Sequence, residues 1–299
     1  MSHRGDSGGR WFAALQYLLP QLLLSRLVGA VARARLSWVR RPLVAGFVRI
    51  YCPDMADALE PDPRAYPSFN DFFTRRLRPE VRPPTASPRA IDSPVDGRIS
   101  ALGASTQGRL LQAKGRDYSL RALLAGNESL CASLAGGPYM TIYLAPYNYH
   151  RIHMALDGTL SGAWYVPGRL FSVNDATARH VPDLFARNER VILQFESGAG
   201  RHALVMVGAL FVGSMGTVWH GDIAPRRAGG ALALPVPAAR GAASLARGAE
   251  LGRFNMGSTV ILLLPPDAAR WDASLDCGTA LRVGQRLGEF GGSALAAGP

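Results

Sequence analysis

Four short stretches carry residue types that could do chemistry. Asp96 stands in SPVDGRIS, where Asp96-Gly97 is a turn pair between β-prone flanks. His150 and His153 lie three positions apart in YNYHRIHM. Ser258 follows Gly257 in GRFNMGSTVILLLP, directly ahead of a strongly apolar run. The fourth stretch, YVPGRLFSVN (165–174), has turn chemistry at Pro167-Gly168 and closes on Ser172 and Asn174, but says little by itself. Singly, each has an ordinary reading: a turn aspartate, structural histidines, a plain turn before a strand. Together, Asp96, His153 and Ser258 are the types that activate a hydroxyl, with a base, a group that orients it and a nucleophile. Ser258 lacks the G-x-S-x-G elbow of an ordinary serine hydrolase, since its surround is Met256-Gly257-Ser258-Thr259. On a helix, His150 and His153 would share a face and could bind metal. In a strand or irregular segment they point apart, which suits two separate jobs. No third ligand stands nearby, so acid/base work is favoured over structural histidines and over a metal site.

These residues need a scaffold. After residue 90, short β-prone runs alternate with Gly and Pro turns: 139–144, 190–195, 203–213, 258–265 and 281–290. That texture predicts a mainly antiparallel β domain. Residues 233–250 have little pattern and should include a surface loop. Ahead of this domain the periodicity is helical, with Leu15, Leu18, Leu19 and Leu22 on one face and Pro20 ending a first helix. A second helix is expected over 27–39, a third over 42–51, and a short one within 67–83. The fold class is therefore α+β, a mainly antiparallel β catalytic domain with N-terminal amphipathic α-helices. A Pro-rich link places the boundary near residue 62, between segments 1–62 and 63–299.

Charge is distributed unevenly. The net charge is +11, and residues 1–50 hold Arg at 4, 10, 26, 33, 35, 40, 41 and 49 against the single acid Asp6. These arginines alternate with Leu, Val, Trp and Phe, which favours an anionic membrane surface over nucleic acid. Trp11 to Ser25 is uncharged but shorter than the roughly 20 residues of a span, and it contains Gln16, Pro20 and Gln21. A segment lying in the interface fits better. Residues 1–9 are polar and Gly-rich, as a mobile end would be. Lys114 is the only lysine, so a pyridoxal phosphate enzyme would have one candidate for its Schiff base. Cys52, Cys131 and Cys277 are odd in number and scattered, which argues against disulfides and a cysteine zinc site and for reduced thiols.

The combination resembles the precursor of bacterial, membrane-associated phosphatidylserine decarboxylases almost end to end. The resemblance runs through LQYLLPQLLLSRL (15–27), FNDFFTRRLRPEVRP (69–83), SPVDGRIS, residues 110–127, YHRIHM (149–154), YVPGRLFSVN and GRFNMGSTV (252–260). It implies self-cleavage between Gly257 and Ser258 into chains 1–257 and 258–299 that stay packed together. His153, oriented by Asp96, would deprotonate Ser258, and Thr259 is a candidate for steadying the oxyanion. Ser258 would become a covalent pyruvoyl group, the cofactor pyruvate, which forms a Schiff base with phosphatidylserine. Phosphatidylethanolamine and CO2 would result, with His150 returning a proton to the α-carbon. The resemblance also implies no metal, no nucleic-acid partner, a homodimer, and a peripheral place on the cytoplasmic side of the cell membrane. The chain departs from the family pattern at Met256, where leucine is usual, and at Asn255, often basic in relatives. Two other classes compete: a lipid serine hydrolase using Asp96, His153 and Ser258, and a non-enzymatic membrane-binding protein using the basic helices alone.

Overall fold

A computed structural model describes residues 7–291, apart from 114, 212–213, 227–228 and 239–242. Lys114 and most of the polar start therefore lie outside the described residues. The continuous apolar run after Gly257 forms the strand Ser258–Leu263, every residue of which is buried. A run without alternation belongs in a strand covered on both faces, and this one lies inside a nine-stranded sheet. Its neighbours are Gly200–Val207 on one side and Pro138–Leu144 on the other, both antiparallel. Beyond these the sheet continues to Arg190–Ser197 and Gly158–Val166 at one end, and to Gly97–Ala104 and Ala280–Leu281 at the other. A separate four-stranded sheet orders Gly221–Ile223, Met215–Thr217, Glu250–Phe254 and Arg151–His153. The mainly antiparallel β architecture expected from the sequence is the one observed.

Two expected strands are shorter than their apolar runs. The 203–213 run leaves the sheet after Val207, where the Gly208 amide turns to the Glu189 carbonyl at 2.8 Å. The 281–290 run splits into Ala280–Leu281 and Arg286–Phe290 around Gly284. Gly284 has φ +78°, and a Cβ there would meet the Pro83 carbonyl oxygen at 2.6 Å, so the turn requires glycine.

Three helices precede the sheets: α1 (Ser7–Leu18), α2 (Gln21–Ala32) and α3 (Ser37–Tyr51). Pro20 separates α1 from α2 as expected. The second break corrects the expectation of helices at 27–39 and 42–51. α2 closes at Arg33, whose amide bonds the Gly29 carbonyl, and α3 restarts after the extended Leu36. Pro42 lies inside α3 instead of opening it. The backbone bond it forgoes is offset by packing: Val44, Phe47 and Val48 of α3 join a small core with Tyr66, Phe69, Phe72 and Phe73. Residues on both sides of position 62 thus share one cluster. The helix expected within 67–83 is only α4 (Phe69–Phe73), capped by Ser68 Oγ accepting from the Asp71 amide at 3.1 Å. A 3-10 turn follows at Pro79–Val81.

The faces of α1 and α2 are inverted relative to a soluble amphipathic helix. Gln16, Gln21, Ser25, Gly29 and Ala32 face the protein. Trp11, Leu18, Leu23 and Leu27 face outward, with Trp11 77% and Leu18 83% exposed. The two glutamines that interrupt the apolar run are the residues that dock it. Gln16 Oε1 accepts from the Ser172 amide at 2.7 Å, and Gln21 Oε1 from the Leu170 amide at 2.9 Å. Ser25 Oγ accepts from the Phe211 amide at 3.2 Å. YVPGRLFSVN, uninformative alone, is the berth for these helices. Among the described residues no single helix is long and apolar enough to cross a membrane, and α1 and α2 meet at an 89° bend.

Candidate active site

The chain between Phe254 and Ser258 is where one strand of the small sheet hands over to the central strand of the large one. That three-residue crossing is held from its start through Met256. The Phe254 amide bonds the His150 carbonyl at 3.0 Å. Asn255 bonds Ser214 twice, through its amide at 3.0 Å and its Nδ2 at 2.6 Å, and its Oδ1 accepts from Asn70 Nδ2 at 3.1 Å. Met256 packs against the phenylalanine cluster. Nothing in the sequence marked Asn255 as an anchor, because its partners lie far away in the chain.

Ser258 opens its strand opposite Leu144, fully buried, and its hydroxyl has no hydrogen-bond partner. Thr259 Oγ1 is likewise buried and unpaired. A buried hydroxyl without a partner costs about 1–3 kcal/mol, so a functional reason for tolerating it is to be sought. Backbone strain is also present in the crossing, at Met256 and not at Gly257. Gly257 has no unusual φ, and a Cβ there would meet nothing within 4 Å. The outlier is Met256, a non-glycine residue at φ +141°. Such a conformation costs of order 1–3 kcal/mol and persists only where the surroundings impose it. Met256 is thus held strained, and Gly257 leaves space beside the bond to Ser258. Should the Gly257–Ser258 bond break itself, as the resemblance implies, relief of that strain would assist it, and Met256→Gly would slow appearance of a 258–299 chain by about tenfold. Met256→Leu should cleave at close to the wild-type rate. A time course of precursor synthesised in a cell-free system measures both, and undiminished cleavage by the glycine variant contradicts the assignment.

The two histidines do point apart, as a strand edge predicts. His153 ends the strand Arg151–His153, and its amide bonds the Pro94 carbonyl at 2.8 Å, beside the Asp96 turn. Its Nδ1 donates to the Gly248 carbonyl at 2.8 Å, so Nε2 carries the lone pair, and the Tyr149 hydroxyl donates to it at 2.9 Å. Burial holds the His153 pKa below its ordinary value, against the opposing effects of the Gly248 carbonyl, Glu250 and Asp96.

Asp96 makes its hydrogen bonds elsewhere. Arg82 grips it in a fork at 3.2 and 2.8 Å, and the Val283 amide donates to it at 2.7 Å. Arg82 also bonds Asp57 at 2.7 Å. With both ring nitrogens of His153 occupied by Tyr149 and Gly248, Asp96 acts on that ring through charge, not contact. Tyr149 and Arg82 are the residues missed from sequence, although both lie inside quoted motifs.

His150 precedes the strand, in a turn arranged by Asn148. The Asn148 side chain accepts from the Ala145 amide at 2.8 Å, and its carbonyl accepts from His150 Nδ1 at 2.8 Å. His150 Nε2 therefore also carries a lone pair; it is fully buried and has no partner. The ring packs on Phe73 with centroids 4.1 Å apart. Burial pushes its pKa down to about 3, with Arg75 adding to the effect and the Asn148 carbonyl opposing it. His150 is thus neutral at physiological pH.

A cavity of about 780 Å³ has Asp96, Tyr149, Asn148 and Arg75 in its wall; Ser258, His150 and His153 do not line it, and are linked to it through Tyr149, which bonds His153, and Asn148, which bonds His150. Among the described residues no group of three or more His, Cys, Asp or Glu side chains is placed to hold a metal ion.

Comparison with known proteins adds the following. A family model described as phosphatidylserine decarboxylase matches residues 69–289, and a second, described as PSD, matches residues 11–52. A phosphatidylserine decarboxylase proenzyme of Pseudomonas putida (strain GB-1) is 48% identical over 280 residues, 94% of this chain and 98% of that protein. Proteins of the same name from Ectopseudomonas mendocina (strain ymp) and Pseudomonas paraeruginosa (strain DSM 24068 / PA7) are also 48% identical, each over 93% of this chain, and over 98% and 96% of their own length respectively.

Proposed function

The chain belongs to the phosphatidylserine decarboxylase family, and from that premise we propose that it makes its own pyruvoyl group at Ser258 and uses it to convert phosphatidylserine to phosphatidylethanolamine. One observation carries the reading: a buried, unpaired serine hydroxyl at Ser258 stands two residues after the strained Met256, at the crossing between two sheets.

His153 is the base for the first reaction. Its neutral Nε2 can accept the Ser258 hydroxyl proton once Tyr149 yields that lone pair, and the negative charge of Asp96 favours the imidazolium that results. The Ser258 oxygen then attacks the Gly257 carbonyl, converting amide to ester. Elimination of the ester releases chain 1–257 with a carboxyl end. Hydrolysis of the remaining dehydroalanine frees ammonia and leaves the pyruvoyl end on chain 258–299. The residues fit that group, since the open space beside Gly257 gives the new end room.

A pyruvoyl carbonyl supplies an electron sink for loss of a carboxyl group, the service that pyridoxal phosphate gives elsewhere. His150 handles the proton that replaces CO2. Because its Nδ1 hydrogen is committed to Asn148, it must first take up a proton at Nε2 and then deliver it to the substrate α-carbon. Burial makes the protonated ring a strong acid, which favours delivery and makes uptake of the proton from solvent the demanding half of the exchange. The assay is CO2 release from phosphatidylserine by purified enzyme. A carbonyl reagent such as phenylhydrazine is expected to abolish turnover and a fluorophosphonate to spare it. The reverse pattern would sink the proposal and favour a serine hydrolase.

The substrate's acyl chains stay in a bilayer, so the cavity must be brought to one. The inverted faces of α1 and α2, with Trp11, Leu18 and Leu23 outward among the N-terminal arginines, support attachment to an anionic cytoplasmic leaflet. Each arginine near such a surface contributes on the order of 1 kcal/mol. Co-sedimentation with phosphatidylglycerol vesicles should be strong at low salt and weaken as salt rises. Protein left in the supernatant at low salt contradicts this placement.

A further inference from the structure

Among the described residues the most buried arginines are held by carboxylates or by several carbonyls, and Arg75 is not. Arg151 holds Glu250 at 2.7 and 2.9 Å. Arg82 holds Asp57 and Asp96, Arg247 pairs with Asp92 at 3.3 Å, and Arg190 is surrounded by the carbonyls of Ala122, Leu123, Ala186 and Asn188. Arg75 differs. It is only 4% exposed, yet Nε and Nη1 have no partner, and Nη2 makes one bond, to the Tyr147 carbonyl at 3.2 Å. Among the described residues no carboxylate forms an ion pair with it.

Burying a guanidinium without an anion is unfavourable, and Arg75 lines the cavity beside Asp96 and Tyr149. A guanidinium with N–H donors to spare in such a wall suits the oxygens of a phosphate or carboxylate. We propose that Arg75 receives the phosphodiester of the phospholipid head group, an inference that rests on the decarboxylase reading above.

The substrate brings two anions, and the chemistry chooses between them. The carboxylate must shed its charge as CO2, and an arginine clamped on it would stabilise the ground state against that loss. The phosphodiester keeps its charge from substrate to product, so holding it binds both alike and positions the amine without opposing the reaction. Arg98 and Arg282 also line the cavity, but both are exposed and each already has a partner.

The test uses mature Arg75→Gln and Arg75→Lys enzymes with dihexanoyl phosphatidylserine as substrate. Dihexanoyl phosphatidylethanolamine, which keeps the phosphodiester and lacks the carboxylate, serves as product inhibitor. For Arg75→Gln the expected result is a KM raised on the order of 10–100-fold, with the product's inhibition constant raised by the same factor and kcat changed far less. Arg75→Lys should fall between. An unchanged KM overturns the proposal, and a raised KM with an unchanged inhibition constant assigns Arg75 to the carboxylate and overturns it too. If Arg75→Gln does not mature, a crystal structure of the wild-type enzyme with dihexanoyl phosphatidylethanolamine decides. A phosphate within hydrogen-bond reach of the Arg75 guanidinium supports the proposal, and one held elsewhere overturns it. Wild-type enzyme that releases no CO2 from phosphatidylserine would sink the decarboxylase reading itself, whereas turnover with an unchanged KM sinks only the role of Arg75.

Discussion

Replacing Ser258 with alanine leaves a single chain of 299 residues and reduces decarboxylation to background. Without Oγ nothing attacks the Gly257 carbonyl, and without the resulting carbonyl end nothing draws electrons from the substrate. Such losses often reflect misfolding, but this site argues against that explanation. The hydroxyl is buried and makes no hydrogen bond, so alanine removes an unsatisfied polar group and leaves every observed contact in place. The variant is therefore expected to melt at or above the temperature of uncleaved wild-type precursor. A denaturing gel, a CO2 assay and a melting curve on one preparation check all three statements. A Ser258→Ala protein that still splits and turns over would contradict them.

The second large effect separates the two histidines. His153→Ala should slow self-cleavage by about 10²–10⁴, the usual contribution of a positioned general base, so the purified variant remains mostly uncleaved. His150→Ala should split normally but lose a comparable factor in CO2 release. The pH dependence of cleavage carries its own sign. His153 works only when neutral, and its pKa is held below the ordinary 6.5, chiefly by burial. Cleavage should therefore hold its rate as pH falls through 6.5 and decline only in more acidic solution. A half-maximal rate above 6.5 would contradict a buried histidine as the base, and variants that fail in the opposite steps would assign the two rings the other way round.

Much of this site was legible because its parts lie in short stretches with local signals. Ser258 announces itself through a Gly-Ser pair ahead of an apolar run, and that run is the central strand of the main sheet. The spacing of His150 and His153 implied divergent side chains once the segment was taken as a strand or irregular, and the strand Arg151–His153 has that form. What stayed hidden depends on partners far away in the chain. Asp96 is held by Arg82 and by the Val283 amide, the latter 187 positions away, and nothing local reveals either. Met256 is strained because Phe254 and Asn255 are tied to one sheet and Ser258 to another, a conflict that exists only in three dimensions. The helices were misplaced for a different reason. Pro42 is a strong local breaker, yet the aromatic packing of Phe47 against Phe69, Phe72 and Phe73 outweighs the lost backbone bond. Gln16 and Gln21, taken only as interruptions of an apolar segment, proved to be its attachment to the β domain.

An intact mass spectrum of the purified wild-type enzyme tests the account most directly. Two masses are expected, one for residues 1–257 and one for residues 258–299, the latter lighter by one ammonia than the peptide that simple hydrolysis would give. A single unbroken mass from a preparation that nevertheless releases CO2 from phosphatidylserine would contradict the claim that this chain builds its reactive group from its own backbone.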